Sequence, residues 1–269
     1  MASRPTLLRI YEIFDKHRAA SLSAIGAVAA LSYTLYDYLT YLSYGPGGLP
    51  YNATGWLVST VLLRAISREG LSTRMYDNPK LPFADQPGYL PASLPQRASK
   101  RPRIGPHPVP QRQLGQLPSE EIRQKLLERF SQLGYKLEAR GLVEVRQSVM
   151  ELQHKGIFVP RSRKWHTVAQ ETRGEITHVH AGLDGSIHVT LSPDDCKKVI
   201  EAGWGQRHGL DGVRVLKKLV GFIMPVNYML IYAPRDEAEI EVAMTIVKAG
   251  IGFMTGTREA LEYFSPFGV

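Results

Sequence analysis

The segment EITHVHAGLDGSIHVTLS, Glu175 to Ser192, restricts the possible folds of this chain more than any other stretch. In a strand, side chains two residues apart point to the same face. His178 and His180 therefore share one face, with Val179 and Ala181 on the other. In the return strand, Ile187, Val189 and Leu191 share a face, and His188 and Thr190 share the opposite one. A two- or four-residue loop would set the histidine face of one strand against the apolar face of the other. A three-residue loop, Leu183-Asp184-Gly185, pairs Val179 with Val189 and His180 with His188, and puts glycine at the left-handed position such loops need. Burial of one face selects that register. His178, His180 and His188 are thus expected on one sheet face.

Such a cluster suits two kinds of chemistry. Three imidazoles plus water make a catalytic zinc or iron pattern. Without metal, imidazole titrates near working pH and serves as an acid or base. The plain structural alternative is a polar sheet side facing solvent.

The rest of the chain reads as α+β, a mixed or antiparallel sheet with flanking helices behind an N-terminal hydrophobic helix. Ser119 to Leu133 predicts a helix with Glu120 and Glu121 in its first turn. Strands are expected near Leu142 to Val149 and Gly156 to Val159, a helix over Pro193 to Ala202, and an extended stretch over Phe222 to Tyr232. Pro225 argues for an edge or a bulge in that stretch. A last helix begins at Asp236 with Glu239 in capping-box spacing, and Gly250 and Gly252 are expected to end it.

Ala19 to Tyr36 holds no charged residue, and Tyr33, Tyr36, Tyr38, Tyr41 and Tyr44 suit a membrane interface. The run predicts a single-pass anchor in a membrane such as the endoplasmic reticulum; a cleaved signal peptide and a buried helix are the competing readings. Trp56 to Ile66 is too short to span and reads as an amphipathic helix ended by Gly70. Residues 78–118 are rich in Pro, Arg and Lys, which suggests a linker, yet Leu81, Phe83, Tyr89 and Leu90 are interleaved as in an ordered arm. The expected parts are a basic tail 1–18, an anchor 19–44, an amphipathic segment 45–77, a Pro-rich basic arm 78–118 and a catalytic domain 119–269.

The formal net charge is +8, with much of the excess in the tail and the arm. No basic-aromatic pattern for nucleic acid accompanies it, so anionic lipid is the expected partner and nucleic acid is not. The one cysteine, Cys196, excludes an intrachain disulfide and reads as a structural thiol.

Two further motifs carry polar groups. GWGQRHG, Gly203 to Gly209, offers Trp204 for stacking, Arg207 as a cation and His208 as a base; its bland reading is a helix cap followed by a surface loop. YAPRD, Tyr232 to Asp236, puts Arg235 just before a helix N-terminus, where it suits an anion or is simply a surface residue beside a cap.

Together GEITHVH, SIHVTL, GWGQRH and YAPR with its following acidic helix resemble the luciferase-domain family of luminous fungi. HKGIFVP around His154 and WLVSTVLLRAISREGLSTRMYD are similar to its upstream segments. Gly209 stands where the family usually has Pro, and Ala181 to Gly185 and Val213 to Asn227 also depart from it. The resemblance implies an oxygenase that attacks a 3-hydroxyhispidin-like pyrone or polyphenol with O2, loses CO2 and needs no organic cofactor. In that reading His178, His180, His188 or His208 takes a proton, Arg207 or Arg235 holds the anion, and Glu175 orients a histidine. Trp204, Tyr232 and His154 line the slot for a small aromatic substrate. Two other readings stand beside it. One is a metal-dependent enzyme with His178, His180 and His188 as ligands. The other is a membrane-bound module that binds a small aromatic without turnover.

Overall fold

The computed structural model describes residues 9, 11–12, 14–216 and 223–262. The chain divides into two compact units, Met1–Gly45 and Pro46–Val269. The first carries α1 (Arg18–Ser43), 26 residues with a mean hydropathy of 1.4 in its most apolar window, long and apolar enough to cross a membrane. That window is unburied, which argues against the buried-helix reading.

The second unit is built on a six-stranded, wholly antiparallel sheet with strand order β1-β2-β3-β4-β6-β5. The strands are β1 (Glu144–Gln147), β2 (Lys155–Phe158), β3 (Glu175–Val179), β4 (Ile187–Thr190), β5 (Gly205–Arg207) and β6 (Tyr228–Ile231). The helices are α2 (Ala53–Ile66), α3 (Glu120–Glu138), α4 (Thr167–Glu171), α5 (Pro193–Glu201), α6 (Glu237–Thr255) and α7 (Glu259–Glu262). Helix starts follow their caps: the Ser119, Ser192 and Asp236 side chains accept from Ile122, Asp195 and Glu239 N–H.

The alternation of β3 and β4 sets the layers. Val179, Ile187 and Val189 face a core completed by Leu126, Leu137, Met229, Ile231, Ile246 and Val247. α6 lies close on this face because it carries glycine there. A Cβ on Gly250 would meet Val189 Cγ2 at 2.4 Å and the Thr190 carbonyl at 3.0 Å. Gly250 and Gly252 are therefore interior packing positions, and the helix ends at Gly256, φ 70°.

Other expectations are corrected. α3 runs five residues past Leu133, because Leu137 is also buried in the core. α2 ends at Ile66 as expected, but its cap is Ser67 and not Gly70; Arg68 N–H then bonds the Gly209 carbonyl, and the Gly70 carbonyl accepts from Arg207 N–H. β6 is an interior strand; Pro225 lies before it in a turn closed by Tyr228 N–H. Phe222, where the extended stretch was expected to begin, falls outside the described residues. The motif after Gly203 is strand β5, not a surface loop.

The hairpin register differs from the expected one by two residues. His178 pairs with His188 and Val179 with Ile187. The loop spans five residues, 181–185, because Asp184 turns inward to accept from Ser186 N–H and Oγ. The shift is even, so the histidines keep a common face, and Gly185 takes the left-handed conformation, φ 74°.

The Pro-rich arm 78–118 is bound along the unit. Gly88 N–H bonds Asp194, and Tyr89 and Leu90 N–H bond the Asp195 carboxylate. Arg97 N–H reaches the Ala202 carbonyl, and Trp204 Nε1–H donates to Pro95. Gln113 closes the run: its N–H donates to Asp184, and its Oε1 accepts from Ala233 N–H.

Candidate active site

On the sheet face opposite the main core lies a cavity of about 400 Å³. One wall is polar: His178, His180, His188, His208, Tyr228, Arg112 and Glu151. The facing wall is apolar and comes from Leu49, from Val58, Leu62 and Leu63 of α2, from Val109 of the arm, and from Leu210, Leu216 and Met224. Leu63, Leu210, Val213 and Leu216 form a second small core behind it.

The three hairpin histidines are buried, with ring centroids 5.0–5.5 Å apart. Each is held through Nδ1. His178 Nδ1 bonds the Glu175 carboxylate at 2.6 Å. Strict alternation would put Glu175 on the other face, but a register shift between β2 and β3 re-aims it. The same carboxylate accepts from Ser148 Oγ and from Val149 and Met150 N–H. His180 Nδ1 lies 2.9 Å from Ser186 Oγ and 3.2 Å from Asp184 Oδ1. Ser186 gives its own proton to Asp184, so its oxygen accepts from the ring. His188 Nδ1 donates to the Met229 carbonyl at 3.1 Å, and Tyr228 stacks on the ring, 4.7 Å away and tilted by 13°. All three rings are thereby Nδ1–H tautomers, and the Nε2 lone pair of each is left for the cavity.

His208 differs. Its Nδ1 accepts from Leu210 N–H at 3.1 Å and its other nitrogen bonds the Pro108 carbonyl, so both are engaged by backbone. Burial pushes it down to about 3. Burial also lowers His180 to about 3, with the Arg112 cation adding and Asp184 opposing. His188 is pushed well below its ordinary range by burial and by the neighbouring histidines. These three rings are neutral at physiological pH.

Two arginines line the cavity, Arg112 and Arg173, and Arg112 is the buried one. Its guanidinium bonds the Pro46 carbonyl at 3.0 Å and pairs with Glu151 at 3.4 Å, and both side chains are almost fully buried. Glycine at position 47 admits it, since a Cβ there would stand 2.6 Å from Nη2. Burial would raise the Asp184 carboxyl, but His180 and Arg112 pull it below the carboxylate range.

Other expected residues lie elsewhere. Arg207 pairs with Met229 across the ladder, which puts it on the core face, where it bonds Asp211 at 2.7 Å. Arg235 pairs with Glu239 and bonds Ser99. Trp204 and Tyr232 flank the Arg97 guanidinium at 5.9 and 5.6 Å, in a cluster that pins the arm. His154 packs against the hairpin loop, its Nε2 3.4 Å from where a Gly182 Cβ would stand. None of these five lines the cavity. Arg112, Glu151, Asp184 and Tyr228 were not legible as site residues. Arg112 sits in a stretch that composition marks as a linker, and Asp184 looks like an ordinary loop residue. Cys196 is buried, and burial pushes its thiol well up, as a structural thiol requires.

The luciferase-domain family profile matches residues 173–250, which hold the hairpin, β5, β6 and most of α6. The chain is 34% identical to a luciferase from Armillaria mellea over 86% of its own length and 85% of the relative's. It is also 34% identical to a luciferase from Neonothopanus nambi, over 81% and 80%. No solved structure matches it. With the three histidines inside the matched segment and the similarity running through most of both chains, the protein belongs to the luciferase-domain family.

Proposed function

We propose that the chain is a membrane-anchored, luciferase-type oxygenase. It oxidises an enolic aromatic, a 3-hydroxyhispidin-like pyrone or polyphenol, with O2 and loss of CO2, with or without light and without an organic cofactor. The observation that carries this reading is a histidine-rich wall in a mostly apolar cavity: three Nε2 lone pairs beside one buried guanidinium.

The chemistry follows from that wall. Loss of the enolic proton leaves an electron-rich anion able to pass an electron to oxygen. Rings held through Nδ1 leave Nε2 to take that proton, which points to His178, His180 or His188 as the base. Arg112 supplies a fixed positive charge for the enolate and for the peroxide that follows. The leucine and valine wall keeps water from the peroxide, and Tyr228 offers an aromatic edge to a flat ring. α1 supplies the anchor, with membrane lipid as its partner.

The test uses detergent-solubilised full-length protein with 3-hydroxyhispidin, recording oxygen uptake and photons together. Uptake with light supports a luciferase, and uptake without light supports an oxygenase with a dark product. Binding of the pyrone without uptake would replace the oxygenase with a ligand-binding module.

A further inference from the structure

We propose that His178, His180 and His188 bind one divalent first-row transition-metal ion, facing the cavity with its remaining positions open. This deepens the oxygenase reading at the same site, but the binding itself does not depend on that reading. The three ligand nitrogens lie within 4.8 Å of one another. Nitrogens about 2.1 Å from a tetrahedral ion stand about 3.4 Å apart, so modest ring rotation brings them to a common ion.

The second argument is the outer hydrogen bonding. A metal-binding imidazole commonly donates its other N–H to a carboxylate or a carbonyl, which fixes tautomer and ring direction. All three rings do so: His178 to Glu175, His180 to Asp184 and Ser186, His188 to the Met229 carbonyl. A wall built only to receive one proton needs one ring so oriented. Here three are, from both strands of the hairpin. His208 marks the contrast, because it lines the same cavity but has both nitrogens tied to backbone.

The donor set selects the ion. Three neutral nitrogens, with no thiolate and no oxygen donor in the cluster, suit zinc, iron, cobalt or copper and disfavour magnesium and calcium. The two carboxylates behind the rings supply negative charge toward the ion without ligating it. Arg112 lines the same cavity, so an enolate oxygen bound at an open position of the ion would share that cavity with two positive charges. With an ion on the three rings the enolic proton passes instead to the Glu151 carboxylate, which lines the same cavity, and the enolate is held by that ion and Arg112 together.

The test measures ion content directly. Full-length protein in detergent is assayed for bound metal, stripped with a chelator and titrated with Co(II), whose visible spectrum reports nitrogen ligation. The expected result is one ion per chain, and at least about a hundredfold weaker Co(II) binding in H178Q, H180Q and H188Q. H208Q is expected to bind as the parent does. Thermal unfolding of each apo variant separates lost ligation from lost folding. No stoichiometric ion, or Co(II) binding that survives the triple variant H178Q/H180Q/H188Q, overturns the site. Oxygen uptake on the same samples keeps the two proposals apart. Uptake by protein that neither holds nor binds an ion overturns the metal site and leaves the rings as bases. A bound ion without uptake of oxygen supports the site and overturns the oxygenase.

Discussion

Glu175 and His178 stand on one strand at a spacing that alternation would send to opposite faces, yet the Glu175 carboxylate lies 2.6 Å from His178 Nδ1. The bulge that makes this possible also lets the carboxylate gather Ser148, Val149 and Met150. E175Q keeps the shape and removes the charge. Turnover is expected to fall about 10- to 100-fold while the fold survives. E175A should also lower the unfolding temperature, because buried donors left without an acceptor cost about 1–3 kcal/mol each. Kinetics and thermal unfolding of the two variants check this; full activity in E175Q would remove Glu175 from the positioning of His178.

Arg112 and Glu151 make a buried pair, and loss of one partner strands the other. Arg112→Met is expected to destabilise the protein by about 3–5 kcal/mol and to cut turnover about 10²- to 10³-fold. The double variant R112M/E151Q should recover most of the stability and none of the activity. Urea denaturation beside oxygen uptake separates the two effects, and recovery of turnover in the double variant would show that the cation is not part of the chemistry.

Acid should weaken the fold. His180 and His208 fall to about 3 in the folded protein, and His188 is also depressed, against an ordinary value of 6.5. The unfolded chain binds their protons first, so stability rises with pH from about 4 to 6.5, by up to about 1.4 kcal/mol per unit for each ring. Asp211, raised to about 6 by burial, acts in the opposite direction above 3.8, one group against three. The urea midpoint at pH 5 is expected to lie below that at pH 7. Equal midpoints would mean that these rings accept protons in the folded protein.

One carboxylate gathers two backbone donors of the arm. Asp195 accepts from Tyr89 and Leu90 N–H and from Ser192 Oγ. Asp195→Asn is expected to cost about 1–3 kcal/mol and to speed protease cleavage within 78–118. Limited proteolysis followed by mass mapping reads this; an unchanged cleavage rate would mean the arm is held by its other contacts alone.

Local patterns in the sequence made much of this architecture legible. Strand alternation in Glu175 to Ser192 placed three histidines on one face even though the pairing is two residues away from the expected one, because an even slip preserves faces. Ser119, Ser192 and Asp236 marked helix starts through their caps. Long-range contacts were not legible. Gly250 looks like a helix end until β4 is seen to pack against it. Arg207 and Arg235 look like anion holders because they stand in dense motifs, but their charges are matched by Asp211 and Glu239. Arg112 is brought to the cavity by an arm whose path depends on Asp184, Asp195 and Ala233, far from it in sequence.

The two walls of the cavity come from separate stretches of chain. The histidines lie within residues 173–250, whereas most of the apolar wall that faces them is encoded between Leu49 and Val109. Reactivity and choice of guest can thus be exchanged independently. A chimera that takes residues 49–109 from a relative would reshape the chamber around the same histidines and Arg112, so a differently shaped guest could be admitted without rebuilding the hairpin.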